Sequence, residues 1–167
     1  MEIWEGALTE TIAGLVGIFI GTLAAVAVER SKELRRNRQR ARIVLRALRH
    51  ELDDNHRALQ AARPAYLQAP FGKSFYLSTI AWETALASGD LPAIIGVDLA
   101  DAISAQYALL VRIRYHVDLL TRLWFAPVDI PGYDEIRRGF GQAILEAMAR
   151  AIAHHAPLAG AMERGGR

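Results

Sequence analysis

The chain has 167 residues, a formal net charge of +2 and no cysteine. Without cysteine, the sequence excludes a disulfide framework, cysteine-based metal sites and cysteine nucleophiles. The small net charge hides an uneven distribution, because residues 29–50 have nine basic and two acidic side chains, whereas residues 51–167 have 11 basic and 13 acidic ones.

The first predicted element is a membrane helix. Residues 12–28 are seventeen consecutive uncharged residues. As a helix they would span roughly 26 Å, close to the ~30 Å hydrocarbon core of a bilayer. We therefore predict a short extracytoplasmic N-terminus at residues 1–10 and a transmembrane helix at residues 11–29. A buried helix of a soluble protein and a cleaved secretory signal are the alternatives.

The segment that follows is strongly basic, whereas the nine residues before the apolar run, 3–11, have no basic side chain. The positive-inside rule therefore predicts a single-pass protein of the inner membrane, with the N-terminus outside and the C-terminus in the cytoplasm. We predict a basic juxtamembrane helix at residues 30–62. Its predicted partners are anionic lipid headgroups, with nucleic acid as the second choice. The lipid- or polyanion-binding residues would be Arg30, Lys32, Arg35, Arg36, Arg38, Arg40 and Arg42.

Small residues form a stripe along the predicted membrane helix. Gly14, Gly17, Gly21 and Ala25 share one face, and Gly17 and Gly21 have the spacing that allows two membrane helices to approach closely. This pattern predicts a homo-oligomer, although glycine is also common in membrane helices generally. Glu10 lies on the same stripe and in an oligomer would form an acidic ring at a pore mouth; the alternative is an ordinary headgroup-level carboxylate.

The basic helix becomes regular towards its end. Leu45, Leu48, Leu52, Asn55, Leu59 and Ala62 alternate in steps of three and four, which predicts a helix packed along one seam. Arg63-Pro64 is the predicted end of this helix, because proline lacks the backbone N–H that a helix interior needs.

The remaining predicted elements are helices too, and strand patterns are nearly absent. The predicted helices span residues 80–87, 91–96, 99–125 and 134–155, and Asp98 is the predicted cap of the third. We therefore predict an all-α fold, an N-terminal transmembrane helix continuing into a cytoplasmic helical bundle. The rest of the bundle would comprise residues 63–155, and a flexible tail would follow at residues 156–167. Asn55 and Gln106 interrupt apolar seams and form the predicted polar core, and a pairing between them would fix register.

Two arginine–histidine pairs match the spacing of the HEPN ribonuclease motif. They are Arg150 with His155 and Arg49 with His56. A chain with 18 arginines and 5 histidines produces ~1.6 such matches by chance. Arg150 and His155 are therefore weak catalytic candidates, and the sequence favours a protein that is not an enzyme. We predict no metal site, because His154 and His155 point about 100° apart on a helix, and no cofactor.

The layout resembles a group of uncharacterised prokaryotic single-pass membrane proteins with a cytoplasmic helical bundle. Three tracts give the resemblance, namely L-x-x-E-L-x-x-N at residues 48–55, LSTIAWETALASGDL at residues 77–91 and Y-x-x-L-x-x-I at residues 107–113. More distantly, the architecture is similar to the small HEPN-like membrane protein accompanying type VI-B CRISPR systems. That second resemblance implies assembly into a pore.

The sequence therefore predicts a self-associating, non-enzymatic membrane protein controlled by its cytoplasmic bundle. Its sharper form is a pore-forming or membrane-perturbing effector in defence. The alternatives are a membrane-tethered adaptor for a cytoplasmic protein or RNA and, second, a HEPN-like ribonuclease.

Overall fold

The computed structural model describes residues 2–68, 75–89, 91–125 and 131–165, and the side chains of these residues from Thr22 onward. Within these ranges the fold is all-helical and has no strand, so the predicted fold class is confirmed at this level. The five helices are α1 (Glu2–Gln68), α2 (Ile80–Ala87), α3 (Leu91–Ile95), α4 (Val97–Trp124) and α5 (Tyr133–Gly165).

The chain divides into two compact units, Met1–Arg40 and Ala41–Arg167. The first unit contains the N-terminal part of α1, and every side chain from Thr22 to Arg40 is exposed there. The second unit is a helical bundle that contains the rest of α1 and the other four helices.

The described residues include no helix that is both long and apolar enough to cross a bilayer. Most of the apolar run predicted to do so, residues 12–21, lies outside the part of the chain whose side chains are described. Glu10, Gly14, Gly17 and Gly21 lie outside it as well, so the predicted pore mouth and most of the small-residue stripe stay predictions.

The core of the second unit forms where the apolar seams of α1, α4 and α5 meet. Helix α4 packs along α5, and α3 packs on α4. Burial of these side chains is the main favourable contribution to folding, because it removes apolar surface from water. The buried seam residues are Leu45, Leu48, Leu52 and Leu59 from α1, Ile103, Leu110, Ile113 and Val117 from α4, and Ile144, Met148 and Ala151 from α5.

Helix α1 does not end at Arg63-Pro64 as predicted, because it continues through Pro64 to Gln68. Two residues beyond the proline, Tyr66 is 4% exposed, and its ring packs edge-on against Phe75 at 5.7 Å. Proline cannot donate a backbone hydrogen bond, but this loss falls close to the end of the helix. Burial of the Tyr66 ring offsets its cost.

The flexible tail predicted from residue 156 is also wrong for the residues described, because α5 remains helical as far as Gly165. Leu158 and Met162, each 3% exposed, belong to the core. Pro157 lies inside the helix, and burial of these two side chains outweighs its unfavourable helix propensity. Residues 166 and 167 lie outside the described part of the chain.

The bounds of the short helices agree closely with those predicted from the sequence. Helix α2 has the predicted bounds, and Gly89, two residues beyond it, has φ +71°. Helix α4 begins after Gly96 (φ +86°) rather than at the predicted cap Asp98, which instead lies in its first turn. Both glycines occupy the left-handed region that other residues rarely adopt.

We predict that Leu158→Ala destabilises the protein by about 2 to 5 kcal/mol, because the side chain is buried in the core. The matched control is Leu67→Ala, which removes the same atoms at a site that is 62% exposed and should change stability by less than about 0.5 kcal/mol. Urea unfolding of both variants measures the difference. Equal effects would show that the end of α5 does not pack in the core.

Candidate functional site

A buried carboxylate lies at the centre of the bundle's polar contacts. Glu51 of α1 is only 8% exposed, and each of its oxygens accepts two hydrogen bonds. Oε2 accepts from the Ser78 hydroxyl at 2.6 Å and from the Ala81 backbone N–H at 2.9 Å. Oε1 accepts from the Tyr107 hydroxyl at 2.6 Å and from the Trp82 backbone N–H at 3.3 Å. The charge is therefore fully hydrogen-bonded, as a buried carboxylate requires.

Two of these bonds cap helix α2. The residue at the N-cap position, Thr79, makes no side-chain bond to the free N–H groups of the first turn. Glu51 bonds two of them from another helix, at Ala81 and Trp82. A negative charge is also favourable at this end of a helix, where the helix dipole is positive. Helix α2 therefore obtains its cap from α1.

Tyr107 joins α4 to the same carboxylate. Its ring, 1% exposed, stacks on Trp82 of α2 with centroids 4.9 Å apart and an angle of 9° between the planes. Burial raises the pKa of the Tyr107 hydroxyl, and the hydrogen bond to Glu51 and the charge of Glu51 raise it further. The phenol therefore stays protonated and acts as a donor.

The hydrogen bonds decide the ionisation of Glu51. Burial raises the pKa of this carboxyl, but the bonds from Ser78, Tyr107, Ala81 and Trp82 together outweigh burial and hold the pKa below its usual value. An ionised carboxylate with both oxygens already accepting two donors is a poor general base. The arrangement therefore favours a structural role.

Asn55 extends this group of contacts by one helical turn. Its side chain, 2% exposed, bonds the backbone of Ser78 twice, donating to the carbonyl and accepting from the N–H, each at 2.8 Å. We call Glu51, Asn55, Ser78, Trp82 and Tyr107 the Glu51 network. All five belong to the three tracts of the sequence resemblance, so the structure brings those tracts together.

The other buried amide has different partners. Gln106, 2% exposed, donates from Nε2 to the Ala151 carbonyl at 3.0 Å, and its Oε1 lies 3.0 Å from Nδ1 of His154. The suggested pair of Asn55 and Gln106 is therefore replaced by two separate contacts, one to the segment before α2 and one to α5.

A second polar cluster lies between α1 and α5. His155 Nε2 is 2.9 Å from Asp53 Oδ1, and the His155 ring stacks on His56 with centroids 4.0 Å apart and an angle of 17°. Arg49 pairs with Glu163 at 2.6 Å and approaches Asp53 at 3.8 Å. We call these five residues the His56–His155 cluster. Burial lowers the pKa of His56 and the charge of protonated His155 lowers it further, while Asp53 opposes both effects.

The structure separates the two weak catalytic candidates. The side chain of Arg150 is 70% exposed and lies 4.0 Å from Glu146, whereas the side chain of His155 is 14% exposed and faces Asp53 of α1. Residues five apart on a helix point about 140° from each other. In the other match, His56 stacks on His155, whereas Arg49 contacts Glu163 and Asp53.

The predicted lipid-binding residues lie in the first unit, apart from Arg42, and all seven are exposed, as is Ala25. Lys32 is 3.9 Å from Glu29. Among the described side chains, no group of histidine and carboxylate residues has the arrangement of a metal site.

An open groove of about 590 Å³ runs beside the Glu51 network. Because the carboxylate is fully hydrogen-bonded, the groove presents mainly the outer face of α1. Its lining residues are Ile43, Arg46, Ala47, His50, Glu51, Asp54 and Ser78.

Sequence reasoning missed the central role of Glu51. The available signal was its position between Leu48 and Leu52, one turn before Asn55, which puts a carboxylate beside a buried seam. The role of Asp53 was missed too, because 102 residues separate it from His155.

Comparison with known proteins adds no constraint on this site: no family model, curated protein or solved structure matches the chain.

We predict that Glu51→Gln destabilises the bundle by about 2 to 4 kcal/mol, because charge-assisted hydrogen bonds are lost and the amide nitrogen cannot accept. Since the folded-state pKa of Glu51 lies below its usual 4.5, the wild-type chain should also lose stability as the pH falls below about 4.5. The Glu51→Gln variant should lack this part of the loss of stability at low pH. Chemical unfolding at several pH values measures both effects, and Glu146→Gln, at a side chain that is 73% exposed, is the matched control.

Proposed function

We propose that this chain is a self-associating, non-enzymatic protein of the inner membrane, anchored by one helix and controlled by a helical bundle in the cytoplasm. The observation that supports the anchor best is the exposure of the apolar part of α1 from Thr22 to Val28. Apolar side chains such as Leu23 (55% exposed) and Val28 (52% exposed) are not buried by the described residues. A helix that is apolar on all sides needs lipid or another protein around it.

The distribution of positive charge supports the same proposal. Successive helical residues lie about 100° apart, so Arg30 and Arg40 each point about 140° away from Arg35 and about 80° from each other. The exposed basic side chains therefore surround α1 rather than forming one stripe. Lipid phosphates would surround a helix that crosses the headgroup layer, whereas a nucleic acid lying along the helix would contact one side. This distribution favours anionic lipid as the partner.

The sharper form of the proposal is a pore. Gly14, Gly17, Gly21 and Ala25 would form the contact between copies, and Glu10 would line the outer mouth. A closed ring of about five or more copies would leave room for a central channel. A membrane-perturbing role in defence is the corresponding biological function.

One observation favours the adaptor as a second candidate. Helix α4 exposes Val111 (44%) and Tyr115 (63%) one turn apart, beside Arg112 and Asp118. An apolar pair among charges on a rigid helix is a suitable contact for a cytoplasmic partner. The ribonuclease receives no comparable support, because Arg150 and His155 point in different directions.

We predict that the anchor places the two ends of the chain on opposite sides of the membrane. Because the chain has no cysteine, single substitutions provide unique labels. A membrane-impermeant maleimide should label Glu2→Cys in intact cells and label Gln60→Cys only after permeabilisation. Both variants should remain in the membrane pellet after an alkaline wash. Soluble protein, or equal labelling of both sites, would contradict the anchor.

We predict that Gly17→Leu/Gly21→Leu abolishes self-association, because the larger side chains keep the two membrane helices apart. Light scattering of the detergent-solubilised protein, corrected for detergent, should give an oligomer for the wild type and a monomer for this variant. The control Leu15→Ile/Phe19→Leu changes the opposite face and should leave the mass unchanged. A wild-type monomer or dimer would remove the pore and favour the adaptor.

A further inference from the structure

Besides the buried Leu158 and Met162, the last part of α5 has ionisable side chains that contact α1. His155 contacts Asp53, and Glu163 pairs with Arg49, so the two contacts lie about one turn apart on α1 and about two turns apart on α5. The neighbouring His154 contacts the uncharged side chain of Gln106 on α4 instead. Asp53 faces the ring pair from α1, Arg49 approaches Asp53 at 3.8 Å, and Glu163 of α5 pairs with Arg49.

The stacked rings accommodate one proton more readily than two. Asp53 Oδ1 lies 2.9 Å from Nε2 of His155, so a charge on that ring would face a carboxylate. A second charge on His56 would lie 4.0 Å from the first, between centroids of parallel rings. Like charges at this separation repel each other, and partial burial of both rings reduces the screening by water.

His56 is also poorly placed to hold a proton. Its Nδ1 is buried and has no hydrogen-bond partner among the described residues. An imidazolium donates from both ring nitrogens, so protonation would bury one unsatisfied N–H as well as the charge. The repulsion and the missing acceptor therefore both disfavour a proton on His56.

We propose that His56 and His155 form a proton-operated clasp, which holds the last part of α5 on α1 while at most one ring is charged and releases it when both are charged. The clasp uses only residues of the bundle, so it is independent of the membrane anchor proposed above. It gives the bundle a response to acidification of its surroundings.

The direction of the effect agrees with the ionisation of His56. Burial and the neighbouring His155 hold the pKa of His56 below its usual 6.5 in the folded state. A histidine of this kind stabilises the fold above its unfolded-state pKa, and the stabilisation is lost as the pH falls towards the folded-state value. The contact should therefore weaken below about pH 6.5.

Hydrogen exchange of the full-length chain in detergent tests the clasp. Between about pH 7.5 and about pH 5, after correction for intrinsic exchange, amides 155–165 should lose about tenfold or more of their protection. Amides 103–113 of α4 should keep theirs, which separates release of α5 from global unfolding. Unchanged protection of 155–165, or a parallel loss in α4, would overturn the clasp.

Two variants assign the effect to the ring pair. His56→Phe keeps a flat ring but cannot be protonated, and it should retain protection of 155–165 at the lower pH. His116→Phe is the control, because burial, followed by the charge of Arg112, also lowers the pKa of His116 while this ring contacts Phe140 instead. This control should respond like the wild type. An equal acid response in His56→Phe would overturn the proposal.

A measurement on the wild type covers the case in which His56→Phe loosens α5 at every pH. The imidazole C–H resonances of His56 should titrate over the same pH range as the loss of protection. Protonation of His56 while residues 155–165 stay protected would overturn the clasp.

Discussion

The bundle depends on the solvation of one carboxylate. Moving Glu51 out of water costs several kcal/mol unless hydrogen bonds replace the lost solvent. Its four donors belong to the segment before α2, to α2 itself and to α4. The charge is therefore stable only when these segments assemble around α1, and it selects one arrangement among the many that apolar seams alone would permit. Any alternative packing that leaves the carboxylate buried loses some of these bonds.

Periodicity predicted the helices because each has a continuous apolar seam. Leu45, Leu48 and Leu52 were assigned to one buried seam from their spacing alone, and all three are buried. The predicted helix end at Pro64 was wrong because burial of Tyr66 outweighs local propensity, and the predicted tail from residue 156 was wrong because Leu158 packs in the core. Helix boundaries therefore followed from packing that the sequence does not display directly.

The polar contacts were less predictable than the seams. Asn55 and Gln106 were recognised as interruptions of apolar seams, but their partners are a backbone segment and a histidine that no spacing rule connects to them. The stacking of His56 on His155 joins residues far apart in the chain, and nothing in either local sequence indicates it. Such contacts depend on how helices pack, which composition and periodicity leave open. The pair of stacked rings is where the bundle has the clearest means of responding to its surroundings.

Because Glu51 of α1 caps α2, the order of synthesis affects when α2 can form. An eight-residue helix is too short to be stable alone, and this one lacks a side-chain cap of its own. Its cap, Glu51, emerges from the ribosome before it, but Tyr107, which completes the carboxylate's contacts, lies 56 residues after Glu51. The contacts around α2 therefore remain incomplete after its synthesis until much of α4 has emerged. Residues 77–89 are consequently accessible to proteases and chaperones until α4 has emerged.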